Sequence, residues 1–246
     1  MKQRLAIVTG GGSGIGFSIA STFTKAKIKT IIIGRDEAKL REAKKQLGKH
    51  CIIAVFDFNN LKEIPALVKQ IEKNYGGIDI LVNNAGINMK KDLVDVTDDE
   101  FASIITTNVQ SVFSLSREVV RQMLKRKKGS IINISSMASK YGIPKVIAYT
   151  ASKSAIEGMT RSMAVELSSK GIRINCIAPG FIATAMSAKA LNNDPERKAK
   201  VIGRTPMGFL GDPVDIGDTA LFLANDTAKY IAGVVLPVDG GNSIGF

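Results

Sequence analysis

The 246-residue chain has no tryptophan, one histidine and two cysteines. His50 stands without a companion and is assigned to the surface. Cys51 and Cys176 each sit inside an apolar run, so they read as buried thiols rather than as a disulfide, a zinc site or a nucleophile. No apolar run approaches the ~18–20 residues needed to cross a bilayer, so no membrane partner is expected. The first apolar run, Leu5–Val8, is too short for the core of a secretion signal, and the expected location is cytoplasmic. Low-complexity segments, internal repeats and linkers are also missing, so residues 1–246 are expected to form one domain.

Acidic residues are in deficit: 22 Asp+Glu face 34 Lys+Arg, for a net charge of +12. That balance raises nucleic acid as a partner, but the cations are scattered over several helical patterns. The densest run, Lys125–Lys128, closes a helix, where cations suit the negative end of the dipole. No stripe of aromatic and basic residues accompanies it, so a nucleic-acid surface is not expected.

What is present is an alternation. Leu5–Val8, Thr30–Ile33, Cys51–Phe56, Ile78–Val82, Ser130–Ile134, Ile172–Ile177 and Val234–Val238 are short apolar runs of the kind buried on both faces of a parallel sheet. Helical patterns separate them: Ile15–Phe23, Glu37–Leu47, Leu61–Tyr75, a long region from the capping box Thr97/Glu100 to Lys128, Tyr149–Ser169 and Pro213–Leu223. Strands alternating with helices predict a single-domain, doubly wound α/β fold of the Rossmann type, with about seven parallel strands and helices on both faces. Residues from about 181 to 211 show weak periodicity and read as a mobile cover over a cleft.

In such sheets ligands lie beyond the carboxyl ends of the strands, so the residues after each run carry the interest. After the first come Gly10, Ser13, Gly14, Ile15 and Gly16, a glycine loop between strand and helix that suits a diphosphate. After the second, Gly34-Arg35-Asp36 occupies the place where an acid selects NAD and an arginine selects NADP. Arg35 favours NADP(H); Asp36 keeps NAD(H) open, unless it serves as the N-cap of the next helix. After the third, Asp57-Phe58 can hydrogen-bond and pack against an adenine. Asn108 lies inside the long helical region, where asparagine is a poor resident and marks either a polar core position or a distortion.

The last constellation is Ser135-Ser136 at the end of the fifth strand and Tyr149-Thr150-Ala151-Ser152-Lys153 at the start of a long helix. Tyr149 and Lys153, four apart, share a helix face. A cation beside a phenol favours the phenolate, as a group that gives and takes a proton requires.

Thr9–Gly16, Asn83–Gly86, Asn108, Ser136, Tyr149-x-x-x-Lys153 and Pro179-Gly180 together resemble the short-chain dehydrogenases/reductases, in order and spacing, over essentially the whole chain. The resemblance implies a ketone–alcohol oxidoreductase using NADP(H) or NAD(H). Tyr149 would be its acid/base, and Ser136 rather than Ser135 would polarise the substrate oxygen. Lys153 would hold the nicotinamide ribose and favour the phenolate, and Asn108 would hold a water linked to Lys153. Asn84 and Gly86 would face the ribose, while Ile182 and Thr184, after Pro179, would orient the carboxamide. The dinucleotide part would span about 1–130 and the catalytic part about 131–246, in a homotetramer paired through the helices near Asn108 and Tyr149. Asn84–Lys91 and Arg204–Gly208 resemble gluconate 5-dehydrogenases, which favours a sugar-acid or polyol substrate, with Lys90 or Lys91 attracting a carboxylate. The alternative is a 3-oxoacyl group on acyl carrier protein, docked through Lys127 and Lys170; the Thr-Arg-Asp that usually follows Asn-Ala-Gly-Ile in those reductases is missing here.

Overall fold

The computed structural model describes residues 3–184, 187 and 194–245, with only the backbone at 197. Its strands are β1 (Leu5–Thr9), β2 (Lys29–Gly34), β3 (Cys51–Val55), β4 (Ile80–Asn83), β5 (Gly129–Ile134), β6 (Ile172–Pro179) and β7 (Val235–Val238). They form one parallel sheet in the order β3-β2-β1-β4-β5-β6-β7. The helices are α1 (Gly14–Lys25), α2 (Glu37–Leu47), α3 (Ile64–Tyr75), α4 (Asp98–Ile105), α5 (Ser111–Arg126), α6 (Ile147–Leu167), α7 (Pro195–Arg204) and α8 (Pro213–Ala224).

Because side chains alternate along a strand, continuous apolar runs feed two cores. Ala6, Val8, Ile32, Ile132 and Ile177 pack with α1, α2 and α8 on one face. Leu5, Ile7, Ile31, Leu81 and Ile174 pack with α3, α5 and α6 on the other. Both buried thiols follow from this: burial pushes Cys51 up to about 11 and Cys176 up to about 12. The chain winds outward from β1 in both directions, so a crevice opens where β1 and β4 part at their carboxyl ends.

Two expectations are corrected. The expected helical region is unbroken from Asp98 to Arg126, and Asn108 is both buried and at its distortion: α4 and α5 are joined by a π-helical turn, Thr106–Gln110, with Asn108 inside it, and Lys127 ends α5 at a φ of 51°. Helix α6 begins at Ile147 rather than Tyr149, which places the tyrosine within its first turn instead of at its boundary. The segment 181–211 is not an irregular cover throughout. Ile182 bridges to Gly211, and α7 forms between them; Asn192 and Asn193 lie outside the described residues. The Thr97/Glu100 capping box is present, with Thr97 Oγ1 accepting from Glu100 N at 3.2 Å and Glu100 Oε2 accepting from Thr97 N at 2.9 Å. Among the described residues no helix is long and apolar enough to cross a membrane.

Candidate active site

The glycine loop is held open from below. Thr9 Oγ1 accepts from the backbone N–H groups of Asn84 and Ala85, both at 2.9 Å, and the Asn84 amide donates to Thr9 O at 2.9 Å. Gly10 and Gly14 take left-handed φ values of 66° and 54°. A methyl group on Gly16 would overlap the carbonyl oxygen of Gly10. Above this tether, α1 starts with no side-chain cap from Ser13 and no acid in its first turn. Its leading N–H groups and positive dipole end are therefore unspent, with Ser13 and Gly14 exposed and Ile15 half-buried beside them. Such a helix start has the donors that an anionic group such as a diphosphate requires. Asn84, expected on the ribose side, donates its amide N–H to the loop.

Arg35 is exposed after β2 and forms no ion pair among the described residues, whereas Asp36 is committed. Its Oδ1 accepts from Lys39 N at 3.0 Å as the N-cap of α2, and that bond holds its carboxyl below the usual range. Asp57 caps a turn by accepting from Asn59 N at 2.9 Å. The Phe58 ring is 7% exposed and packs edge-on against Phe56 in the α3-side core. Burying a phenylalanine is worth about 2–3 kcal/mol, so the ring goes inward. An adenine beside β3 would meet the backbone at 57–58, not this ring.

At the end of β5 the two serines divide. Ser135 is 2% exposed and donates to the buried Glu157 Oε1 at 2.9 Å, tying β5 to α6. Ser136 is half-buried and accepts from Ala138 N at 3.1 Å, which leaves its O–H to be donated elsewhere. On α6, Lys153 Nζ lies 5.5 Å from the Tyr149 ring centroid and donates to Ile134 O at 2.8 Å, keeping two further N–H bonds. Asn108 is 1% exposed. Its Oδ1 accepts from Ile87 N at 2.8 Å, and its Nδ2 donates to Ile87 O at 2.9 Å and Ser152 Oγ at 3.0 Å. Its amide thus clamps the segment after β4 to α6. A methyl on Gly86 would come within 3.2 Å of Asn108 Oδ1 and 3.7 Å of Lys153 Nζ, so these three residues converge. A water shared with Lys153 would have to use the remaining lone pair on Oδ1 or main-chain carbonyls of the π-turn.

Pro179 is buried at the end of β6, and Gly180 N donates to Val238 O at 2.9 Å. The Ile182 side chain, 5% exposed, packs in the core and leaves only peptide groups to a ligand. Thr184 stands over the glycine loop: a methyl on Gly14 would lie 3.7 Å from its Cγ2.

Some of the site was not anticipated. Tyr141 Oη lies 2.5 Å from Asn242 Oδ1 and 2.7 Å from Met137 Sδ, and burial pushes its phenol pKa up. The Arg204 guanidinium lies over the Tyr141 ring at 3.9 Å, and its Nε donates to Asn242 O at 3.1 Å. With Phe181, Lys90 and α7 these residues wall a cavity of about 440 Å³ next to the loop joining Ser136 to Tyr149. The two lysines 90 and 91 part company: Lys90 lines this cavity, while Lys91 is bound to both carboxylate oxygens of Glu100, at 3.0 and 2.8 Å. Tyr141 and Asn242 are 101 positions apart, and no periodic signal connects them.

Comparison with known proteins shows the family. The family model described as enoyl-(acyl carrier protein) reductase matches residues 10–243. The chain is 40% identical over 245 residues to the 3-oxoacyl-(acyl-carrier-protein) reductase FabG of Chlamydia trachomatis, covering 98% of each. It is 39% identical over 238 residues to the 5-keto-D-gluconate 5-reductase of Escherichia coli, covering 96% of this chain and 93% of that one. A solved structure described as a putative NAD(P)-dependent gluconate 5-dehydrogenase from Beutenbergia cavernae, with bound NADP, superposes with a TM-score of 0.92 at 36% identity, covering 97% of this chain and 96% of that one. The chain belongs to the short-chain dehydrogenase/reductase family. It is an oxidoreductase acting on CH–OH groups.

Proposed function

We propose that the protein is an NADP(H)-dependent cytoplasmic enzyme that interconverts a ketone and a secondary alcohol on a sugar acid or polyol. The observation that carries the reaction is the pairing of Tyr149 and Lys153 on α6, with Lys153 bonded to Ile134 at the end of β5, two residues before Ser136, and α6 held by the Asn108 clamp. When bound, the nicotinamide supplies or receives the hydride. Tyr149 donates its phenolic proton to the carbonyl oxygen in reduction and takes it back in oxidation. Ser136, with its hydroxyl hydrogen unspent, donates to the same oxygen. Lys153 keeps one N–H on Ile134 O and offers the others to the ribose, beside the tyrosine whose proton must be replaced.

For the cofactor, the uncapped start of α1 with Gly10, Ser13, Gly14, Ile15 and Gly16 would take the diphosphate. Arg35 would take the 2′-phosphate of NADP, since Asp36 spends its carboxylate on α2. The backbone of Asp57 and Phe58 would border the adenine, Asn84 and Gly86 the ribose, and Pro179, Ile182 and Thr184 the carboxamide. Residues from about 1 to 130 would then serve the dinucleotide and those from about 131 to 246 the chemistry. Exposed Phe101, Phe113, Ile147 and Val165 on α4, α5 and α6 support pairing of these helices between subunits in a homotetramer.

The second reading, a 3-oxoacyl-(acyl-carrier-protein) reductase, is supported by the Chlamydia trachomatis relative and by exposed Lys127 and Lys170. Those lysines flank the starts of β5 and β6, at the opposite end of the strands from Ser136. The test is initial rates with NADPH and with NADH on 5-ketogluconate, other keto-sugars, an acetoacetyl thioester and simple diketones. The expected result is NADPH-dependent turnover of the keto-sugar acid, by about tenfold or more over the thioester. The opposite preference would move the enzyme to the second reading.

A further inference from the structure

Building on the keto-reductase reading above, we propose that the cavity under α7 reads a carboxylate on the substrate, with Arg204 as the residue that binds it. Four cations line the cavity: Lys90, Lys145, Lys200 and Arg204. Lys145 is paired with Asp92 at 2.8 Å and Lys200 with Glu196 at 2.6 Å. Asp194, also on the wall, is engaged in an interaction of its own. Lys90 and Arg204 remain, neither ion-paired to a carboxylate among the described residues.

These two differ in how they are held. Lys90 is exposed on a flexible stem. Arg204 is half-buried and fixed at three points: the end of α7, the Asn242 carbonyl on its Nε, and the face of Tyr141, which is itself tied to Asn242 and Met137. Only its Nε is spent on a described acceptor. The terminal N–H groups form the planar fork that matches a carboxylate, and their orientation is set before any ligand arrives. Ile143, Pro144 and Phe181 give the same walls an apolar part. Tyr141, on which Arg204 lies, is bonded to Met137, the residue after Ser136, so the fork is tied to the loop that carries the serine. The ligand class is therefore a short oxo- or hydroxy-acid with its carboxylate at one end and the reacting carbon towards the other. Neutral ketones and thioesters lack the group that Arg204 reads.

The experiment compares wild type, Arg204→Gln and Arg204→Lys. Kinetics with NADPH would use 5-ketogluconate and the uncharged thioester acetoacetyl-N-acetylcysteamine; binding of D-gluconate to the protein–NADPH complex would be read by NADPH fluorescence. Arg204→Gln is expected to raise the keto-acid KM and the gluconate Kd by about tenfold, with kcat held within about twofold and the thioester unaffected, the signature of lost uniform binding. Arg204→Lys, which keeps the charge and loses the fork, is expected to fall between. Equal losses on the charged and uncharged substrates would overturn the assignment, and so would a wild-type complex that reduces the thioester yet binds no gluconate. That last result would leave the ketone–alcohol reaction standing. A wild type inactive on every carbonyl compound would overturn the reaction, and its gluconate titration would still decide the role of Arg204.

Discussion

At the amino edge of the sheet a basin of about 1220 Å³ gathers Arg4, Lys27, Lys128, Arg173 and Lys229; at the carboxyl edge the cavity beside Tyr141 holds about 440 Å³. Both are basic, and the larger is the less equipped for chemistry. At the amino edge the guanidinium groups close helix ends. Arg4 donates to Ala224 O at 3.2 Å and to Asn225 Oδ1 at 2.8 Å, and Arg173 donates to Asn225 O at 3.2 Å, all at the end of α8. Arg126 binds Asp79 at 2.7 Å and the carbonyl of Ile78. Helices running back against a parallel sheet point their negative ends there, and cations satisfy them. At the carboxyl edge the donors stay unspent: the first turn of α1, Arg35, two N–H bonds of Lys153, and the Arg204 fork. Neither cavity size nor positive charge by itself marks the site: the amino edge also leaves a donor over, the buried Nη1 of Arg173, but that guanidinium is turned to the end of α8.

The strongest way to break this contrast is at Tyr149. Tyr149→Phe removes the proton donor alone, so kcat is expected to fall by about 10²–10⁴-fold with NADPH affinity nearly unchanged; full turnover would remove Tyr149 from the chemistry. Next is Arg35→Ala, expected to weaken NADPH binding about tenfold and NADH binding hardly at all, as loss of a charge-assisted bond to the 2′-phosphate requires. Equal effects on both cofactors would show that Arg35 reads no phosphate. Smaller is Arg173→Gln at the opposite edge. It should lower Tm by about 2–4 °C, for about 1 kcal/mol of lost capping, and leave kcat/KM within about twofold. A drop in activity without a drop in Tm would mean that the amino edge takes part in function. Smallest is the response of the thiols. With Cys51 pushed up to about 11 and Cys176 to about 12 by burial, iodoacetamide at neutral pH should label neither in the folded protein and both after unfolding.

Much of this was legible in the residues, for a physical reason. A parallel strand buried on both faces has to be a continuous apolar run, so Leu5–Val8 and Ile172–Ile177 declare themselves. A diphosphate cradle has to be glycine between strand and helix, as Gly10–Gly16 is. Asn108 announced a local irregularity because asparagine sits badly inside a regular helix, and the π-turn is that irregularity. The rest lay in which way side chains turn. Phe58 and Ile182 follow strand ends, but their side chains are apolar and turn inward, which leaves their peptide groups to meet a cofactor. Lys91 and Lys90 look alike in sequence, and only the fold brings Glu100 to one of them. The Tyr141–Arg204–Asn242 wall joins three distant segments without any repeat or spacing to betray it.

The π-turn at Thr106–Gln110 has a consequence for the length of the chain. A π-turn inserts one residue into an α-helix, and each residue advances the helix by about 100°. The insertion therefore resets the phase between α4 and α5: Asn108 meets Ile87 and Ser152 while Leu115, Val119 and Met123 still point into the core. Shortening the turn by one residue would make the helix regular and turn everything beyond it by that angle, so either the amide or the apolar stripe would lose its partners. Here the number of residues is constrained as well as their identity.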